Sequence, residues 1–351
     1  MSSERVGAVL DRLFGRSADL GASLAAVVVH RGELVTERYG TRPANAFAPA
    51  EAIGPDTTLI SWSTAKSMTH AAVGILVRDG LLDLDMPAPV AEWSGTERAP
   101  ITLLDLLEMR SGLRFVEDYV DGDVSHCIAM LFGEGSSDHA AYAASLPLDH
   151  EPGTVWSYSS GTTNIIARVI GDVLTGSSGR RATAHERRST VESFLRDRLF
   201  GPIGMASATP SFDAAGNWVG SSYVDATARD FAAFGEFYRN DGVTRAGERL
   251  LPVGWADHGR TEVAVDDSSV DDGVGGFGYG RHWWTWRRYP GSMAAHGYEG
   301  QYVVVVPDRD LVVVHLGTTP AEHRPIVVQA IAEIVDACAP LVGPDDRDPH
   351  G

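Results

Sequence analysis

Valine-rich apolar runs sit at the two ends of this chain, and patterns of helical period fill the stretch between them. Residues 24–29 read LAAVVV, 301–306 read QYVVVV and 311–314 read LVVV. Continuous runs of this kind, short and β-branched, read as buried strands. Residues 33–39 follow Arg31-Gly32, a pair that reads as a hairpin turn. The region 277–288 adds a further strand, and 4–16 and 325–338 read as terminal helices. Between the two ends, 63–79 are helical in pattern with Gly80 as the stop. LLDLLEM from 103 is a second helix, and the segment after Pro152-Gly153 is a third. Short helices are expected at 125–132, 190–200 and 227–240. Residues 40–56, 117–138, 177–189 and 263–276 read as loops, with 263–276 mobile, and the tail 340–351 as disordered. The expected fold is α/β (α+β): an antiparallel sheet assembled from both termini and flanked by helices, plus an all-helical domain. The expected boundaries are 1–60 with 215–351 for the discontinuous sheet domain and 61–214 for the helical one. The cleft between them is the default site.

Composition excludes several classes of function. Lys+Arg number 29 against 47 Asp+Glu, a net charge of −18. Such a surface repels phosphate backbones and anionic membranes, so neither is an expected partner. No stretch of 18 apolar residues exists to span a bilayer. Residues 20–29 have the length of a signal h-region, but no A-x-A-like cleavage site follows, and the expected location is cytoplasmic. Cys127 and Cys338 stand far apart, outside any C-x-x-C pair, and read as buried thiols.

Lysine usage points to chemistry. The chain has a single lysine, Lys66, and all its other basic residues of this type are arginine. Arginine cannot be deprotonated near neutrality, whereas a lysine can. Ser63-Thr64-Ala65-Lys66 puts a hydroxyl and that amine three apart at a helix start, on one face. The free backbone N–H groups there favour negative charge on Ser63. Tyr158, in Tyr158-Ser159-Ser160, can serve as a general base near an ammonium. Ala295-His296-Gly297-Tyr298 precedes a strand, and its glycine allows a ligand to approach the backbone. A backbone N–H here can complete an oxyanion hole with that of Ser63. Taken one by one, the competing readings are a helix cap, a core tyrosine and a structural histidine. Other motifs fail their context. The G-x-G-x-x-G at 273–278 precedes a strand instead of opening a helix, His185-Glu186 does not extend to H-E-x-x-H, and no G-x-S-x-G occurs. The tryptophans at 283, 284 and 286 read as sheet packing, and no metal or organic cofactor is implied.

Four segments in order, SWSTAKSMTHAAVGILVRDGLLDLDMPAP, ITLLDLLEMRSGL, EPGTVWSYSSGTTN and AAHGYEGQYVVVVPDRDLVVV, resemble the β-lactamase-related serine hydrolases over nearly the whole chain. The family includes class C β-lactamases, DD-peptidases and esterases. RSGLRFVEDYVDG, the Y-S-S element and AAHGYEGQ look closest to 6-aminohexanoate-dimer hydrolases and related esterases. The resemblance implies Ser63 as nucleophile, Lys66 as its proton partner and Tyr158 as base and acid. It implies an oxyanion hole from the N–H groups of Ser63 and Tyr298, with Gly297 beside it, and a substrate contact from Tyr119. Two departures from the family pattern stand out. Ser160 occupies the asparagine position of Y-x-N, and the third motif reads Ala295-His296-Gly297 in place of K-T-G or H-T-G. With no second lysine, His296 is the remaining candidate for a carboxylate contact. The expected activity is therefore hydrolysis of small amides or esters, with a β-lactamase or DD-peptidase as the alternative and an idle scaffold as a third reading. The oligomeric state is left open.

Overall fold

The computed structural model describes residues 3–46, 48–176, 182–266 and 274–338. Eight strands form one sheet in the order Glu33–Tyr39, Ala22–His30, Leu311–Thr318, Gln301–Val306, Met293–Gly297, Trp284–Trp286, Phe277–Tyr279, Ala264–Asp266, and every neighbouring pair is antiparallel. The two ends of the chain do meet: Ala22 pairs with Thr318 and His30 with Leu311. The hairpin at Arg31-Gly32 turns with positive φ at both residues (57° and 77°), the backbone twist that a two-residue hairpin needs.

The valine runs alternate between two cores. Val27, Val303, Val305, Val312 and Val314 face one side, where helix Ala228–Arg239 packs. Val28, Val304, Val306 and Val313 face the other, against the terminal helices Ser3–Phe14 and Arg324–Asp336. Both faces are covered, so the strands are apolar throughout instead of alternating with polar residues. Beside the sheet, helices Ala65–Arg78 and Ser160–Leu174 run through the helical body, with Ala65 to Leu76 and Ser160 to Gly171 all buried. Helices buried all round in this way lie in the centre of a bundle, and here they carry polar side chains, Lys66 and Ser160 among them, into it.

Several expectations change. Residues 184–189 are not loop: Ala184–Phe194 is a helix, which continues as a wide turn over Leu195–Phe200. Its start is fixed by a capping box, in which the Thr183 side chain accepts from Glu186 N and the Glu186 carboxylate accepts from Thr183 N. The strand expected at 277–288 is two short strands, reversed where His282 adopts φ 59°. Within 263–276, Ala264–Asp266 forms the edge strand, while 267–273 lie outside the described residues, as do 177–181 and the tail. Residues 41–42 and 51–52 pair as a small ribbon inside the stretch expected to be irregular. Helices His139–Ser145 and Trp255–Arg260 were not anticipated; the first is capped by Asp138. Among the described residues no helix is long and apolar enough to cross a membrane.

Candidate active site

The site is built where the buried helix Ala65–Arg78 begins against the end of the sheet. Trp62–Thr64 is a single tight turn that leads into this helix. Trp62 carries φ 43°, an unusual backbone for an aromatic residue, and the next residue is Ser63. Strand Met293–Gly297 closes on this turn from the side. A Cβ at Gly297 would lie 2.6 Å from the carbonyl oxygen of Ser61, so only glycine lets the strand come this near. Tyr298 follows, its ring edge-on to Trp62 at 5.9 Å. The backbone segments carrying Ser63 and Tyr298 are thus locked together.

Lys66 is 2% exposed and its ammonium uses all three donors. Nζ donates to Ser63 Oγ at 2.9 Å, to Ser160 Oγ at 2.9 Å and to the Ser221 carbonyl at 3.0 Å. It also lies 4.8 Å from the centre of the Tyr158 ring. Burial pushes the Tyr158 phenol above its ordinary range and the Glu117 charge adds to this, whereas Lys66 and the Ser63 hydroxyl pull it down. The net direction is upward, so Tyr158 rests protonated. Trp284 and Tyr279 hold its ring at 5.5 and 5.8 Å.

Glu117 is the residue that sequence reasoning missed. Its carboxylate accepts from Ser160 N at 2.7 Å, from Ser160 Oγ at 2.6 Å and from the Tyr119 hydroxyl at 2.6 Å. Tyr119 also packs on Tyr298, ring centres 5.2 Å apart. Ser63, Tyr158, Ser160, Tyr119, Gly297 and Tyr298, which the sequence scatters over more than 230 positions, therefore converge on one site. No local pattern marks Glu117 or Ser221; both reach the site through the fold.

His296 is placed differently from its expectation. It lies in the cleft wall, but Nε2 accepts a hydrogen bond from Trp286 Nε1 at 2.9 Å, and the ring stacks on Trp284. Burial first, then Arg324, holds its pKa down to about 3. A neutral imidazole with that nitrogen already engaged brings no charge to a carboxylate. Among the described residues that line this cleft, the cation is Arg324, at the start of the last helix, and the carboxylates are Glu117 and Asp266.

Ser63 stands between two chambers. The larger, about 490 Å³, runs past Tyr158, Trp156, Trp284 and His296 to Arg324. The smaller, about 110 Å³, is walled by Cys127, Ile128, Leu131 and Phe132 of helix His126–Phe132. Ser63, Tyr119 and Tyr298 line both. An aromatic trough with a cation at one end thus meets an apolar cup at Ser63. Among the described residues no group of three or more His, Cys, Asp or Glu side chains is arranged to hold a metal ion.

A sequence profile of the beta-lactamase family matches residues 10–335. The chain is 26% identical over 329 residues to a 6-aminohexanoate-dimer hydrolase of Paenarthrobacter ureafaciens, covering 89% of this chain and 78% of that one. It is 28% identical over 326 residues to penicillin-binding protein 4 of Amycolatopsis lactamdurans, covering 82% and 75% respectively. A candidate 6-aminohexanoate-dimer hydrolase from Bacillus anthracis has the same fold, with a TM-score of 0.71 at 23% identity over 91% of this chain and 80% of that one.

Proposed function

The chain belongs to the beta-lactamase family and is a hydrolase, and we propose that it cleaves small amides or esters through an acyl-enzyme on Ser63. The observation that carries this reading is the single lysine, buried, with Nζ 2.9 Å from Ser63 Oγ and facing Tyr158. In this reading, Lys66 first gives one proton to solvent, and the neutral amine, beside the Tyr158 hydroxyl, takes the Ser63 proton as Oγ attacks the carbonyl carbon. The negative charge that develops on the carbonyl oxygen rests on the N–H groups of Ser63 and Tyr298. Tyr158 hands the proton to the leaving amine or alcohol, which departs with the electrons of the broken bond. Water then enters, loses a proton to the same pair and releases the acid and Ser63.

The chambers support a substrate class. A linear amide or ester with an apolar part near Ser63 and a carboxylate directed to Arg324 fits them, which is the character of a short ω-amino-acid oligomer. The reading takes a cytoplasmic enzyme and small molecules as its partners, without nucleic acid or membrane. Free, buried Cys127 and Cys338 accord with a reducing compartment.

The test is intact mass spectrometry after brief exposure to a p-nitrophenyl ester and, separately, to penicillin, with peptide mapping of any adduct. The expected result is p-nitrophenol release together with an ester-derived adduct on Ser63 that Ser63→Ala abolishes, and little from penicillin. A persistent penicillin adduct would instead favour a penicillin-recognising enzyme, the activity suggested by the name of the Amycolatopsis relative. Absence of both adduct and release would reject the proposal.

A further inference from the structure

Glu117 makes its side-chain contacts inward, to the site. The loop that carries it has its own fastenings: Val116 N donates to His126 Nδ1, Ser125 Oγ to the Asp118 carbonyl, and Val120 N and Asp121 N to the Asp118 carboxylate. The Glu117 carboxylate is spent elsewhere, on both donors of Ser160 and on Tyr119. It sits at the first N–H of the buried helix Ser160–Leu174, where a negative charge is favoured.

The consequence lies in the Ser160 hydroxyl. It has one proton and two lone pairs. The proton points to Glu117 Oε1 at 2.6 Å, which leaves a lone pair for Lys66 Nζ at 2.9 Å. Remove the carboxylate and the hydroxyl is free to turn its proton toward Lys66, where it repels the ammonium. We infer that Glu117 is a positioning residue: through Ser160 it holds Lys66 on Ser63, and its charge balances that of the buried ammonium. Because Tyr119 bonds to the same carboxylate and lines both chambers, the substrate wall and the proton-handling lysine share one anchor.

The titratable groups facing this pair are Tyr158, Tyr119, Tyr279, Cys127 and His282. Burial pushes the tyrosines and the thiol up and His282 down to about 3, so all five are neutral at neutral pH.

This inference rests on the reading of Ser63, Lys66 and Tyr158 as the reacting groups, and the test separates the two. kcat and KM for p-nitrophenyl acetate are measured against pH for the unaltered protein, Glu117→Gln, Glu117→Asp, Ser160→Ala and the Glu117→Gln/Ser160→Ala double variant. A nearby negative charge favours the charged form of an amine, so Glu117→Gln should move the acid limb of kcat/KM to lower pH. It should lower kcat roughly 10–100-fold with KM little changed. Glu117→Asp keeps the charge and should restore the limb and part of the rate. In the double variant the two losses of kcat should not add, since both cut the same chain. An acid limb that stays in place in Glu117→Gln, or losses that add, would overturn the inference while Ser63 acylation still stands. If Glu117→Gln does not fold, Ser160→Ala decides: an unchanged kcat overturns it. Failure of the unaltered protein to acylate Ser63 overturns both readings.

Discussion

Lys66 donates to three acceptors from one nitrogen, and that arrangement sets what a substitution there can do. Arginine keeps its charge at any working pH and cannot accept the Ser63 proton, and its planar fork cannot reproduce three donations from a point. Lys66→Arg should lower turnover of a p-nitrophenyl ester by about 10²–10⁴-fold while the protein still folds; normal turnover would remove Lys66 from the mechanism. Gly297→Ala tests the other half of the site. Its Cβ would meet the Ser61 carbonyl at 2.6 Å, so the strand must withdraw from the Ser63 turn and carry the Tyr298 N–H with it. Loss of one oxyanion donor costs about 2.7–4 kcal/mol in comparable sites. A kcat lowered about 10²–10³-fold with little change in Tm is the expected outcome, and an unaltered kcat would place the oxyanion elsewhere. Ser63, Lys66 and Tyr158 were legible because each sits in a short pattern or is scarce in its own right. Glu117 was not, because it meets Ser160 across 43 positions of sequence and only the path of a loop brings it there. His296 was legible as a residue of the cleft and misleading as a cation, because its protonation is decided by the rings around it.

At the scale of elements, the long buried strands and the two central helices were readable from apolar periodicity alone. The helix Ala184–Phe194 was not, since it is polar over most of its length and buries only Arg187, Val191 and Phe194. Its signal was the Thr183-x-x-Glu186 capping box. Thr183→Ala removes the half of that box made by the hydroxyl, leaving Glu186 N without its acceptor, and should cost about 1 kcal/mol of stability, read as a lower urea midpoint with unchanged slope and unchanged kcat. The single strand expected at 277–288 split because the backbone reverses through Gly280-Arg281-His282-Trp283, with the positive φ at His282 and not at the glycine. The last helix contributes differently, by bringing Arg324 into the larger chamber. A guanidinium pairs with a carboxylate but gains nothing from a neutral ester. Arg324→Gln should raise KM for carboxylate-bearing amides roughly tenfold and leave p-nitrophenyl acetate unaffected. Equal effects on both substrates would mean that the residue shapes the cleft without reading charge.

Across the whole molecule, one sheet closes the two ends of the chain around the site, and its interior is packed with neutral histidines. His282 is buried, its Nδ1 at 2.9 Å from the Leu107 carbonyl and its Nε2 at 2.8 Å from Thr163 Oγ1. His315 Nδ1 lies 2.7 Å from the Gly300 carbonyl and its Nε2 2.8 Å from Ser23 Oγ, which ties the Gln301 end of the sheet to the N-terminal strand. His70 Nδ1 lies 2.7 Å from the Tyr238 hydroxyl, and its ring stacks with His258. Burial is the first cause of a lowered pKa in all of them: His282 and His296 fall to about 3, His258 and His315 to about 4, and His70 well below its ordinary value. In the unfolded chain the same side chains bind protons near pH 6.5. Between those limits the unfolded state holds more protons than the folded one, so stability is fully present above about pH 6.5 and is lost as pH falls toward 4. Acid should therefore weaken the core on both faces of the sheet. Thermal unfolding followed from pH 8 to pH 4 should give a Tm nearly flat down to about 6.5 and falling steeply below it. The double variant His282→Gln/His315→Gln would be less stable at pH 8 but should lose less Tm between pH 6.5 and 4 than the unaltered protein. A parallel decline in both proteins would assign acid sensitivity to the carboxylates instead.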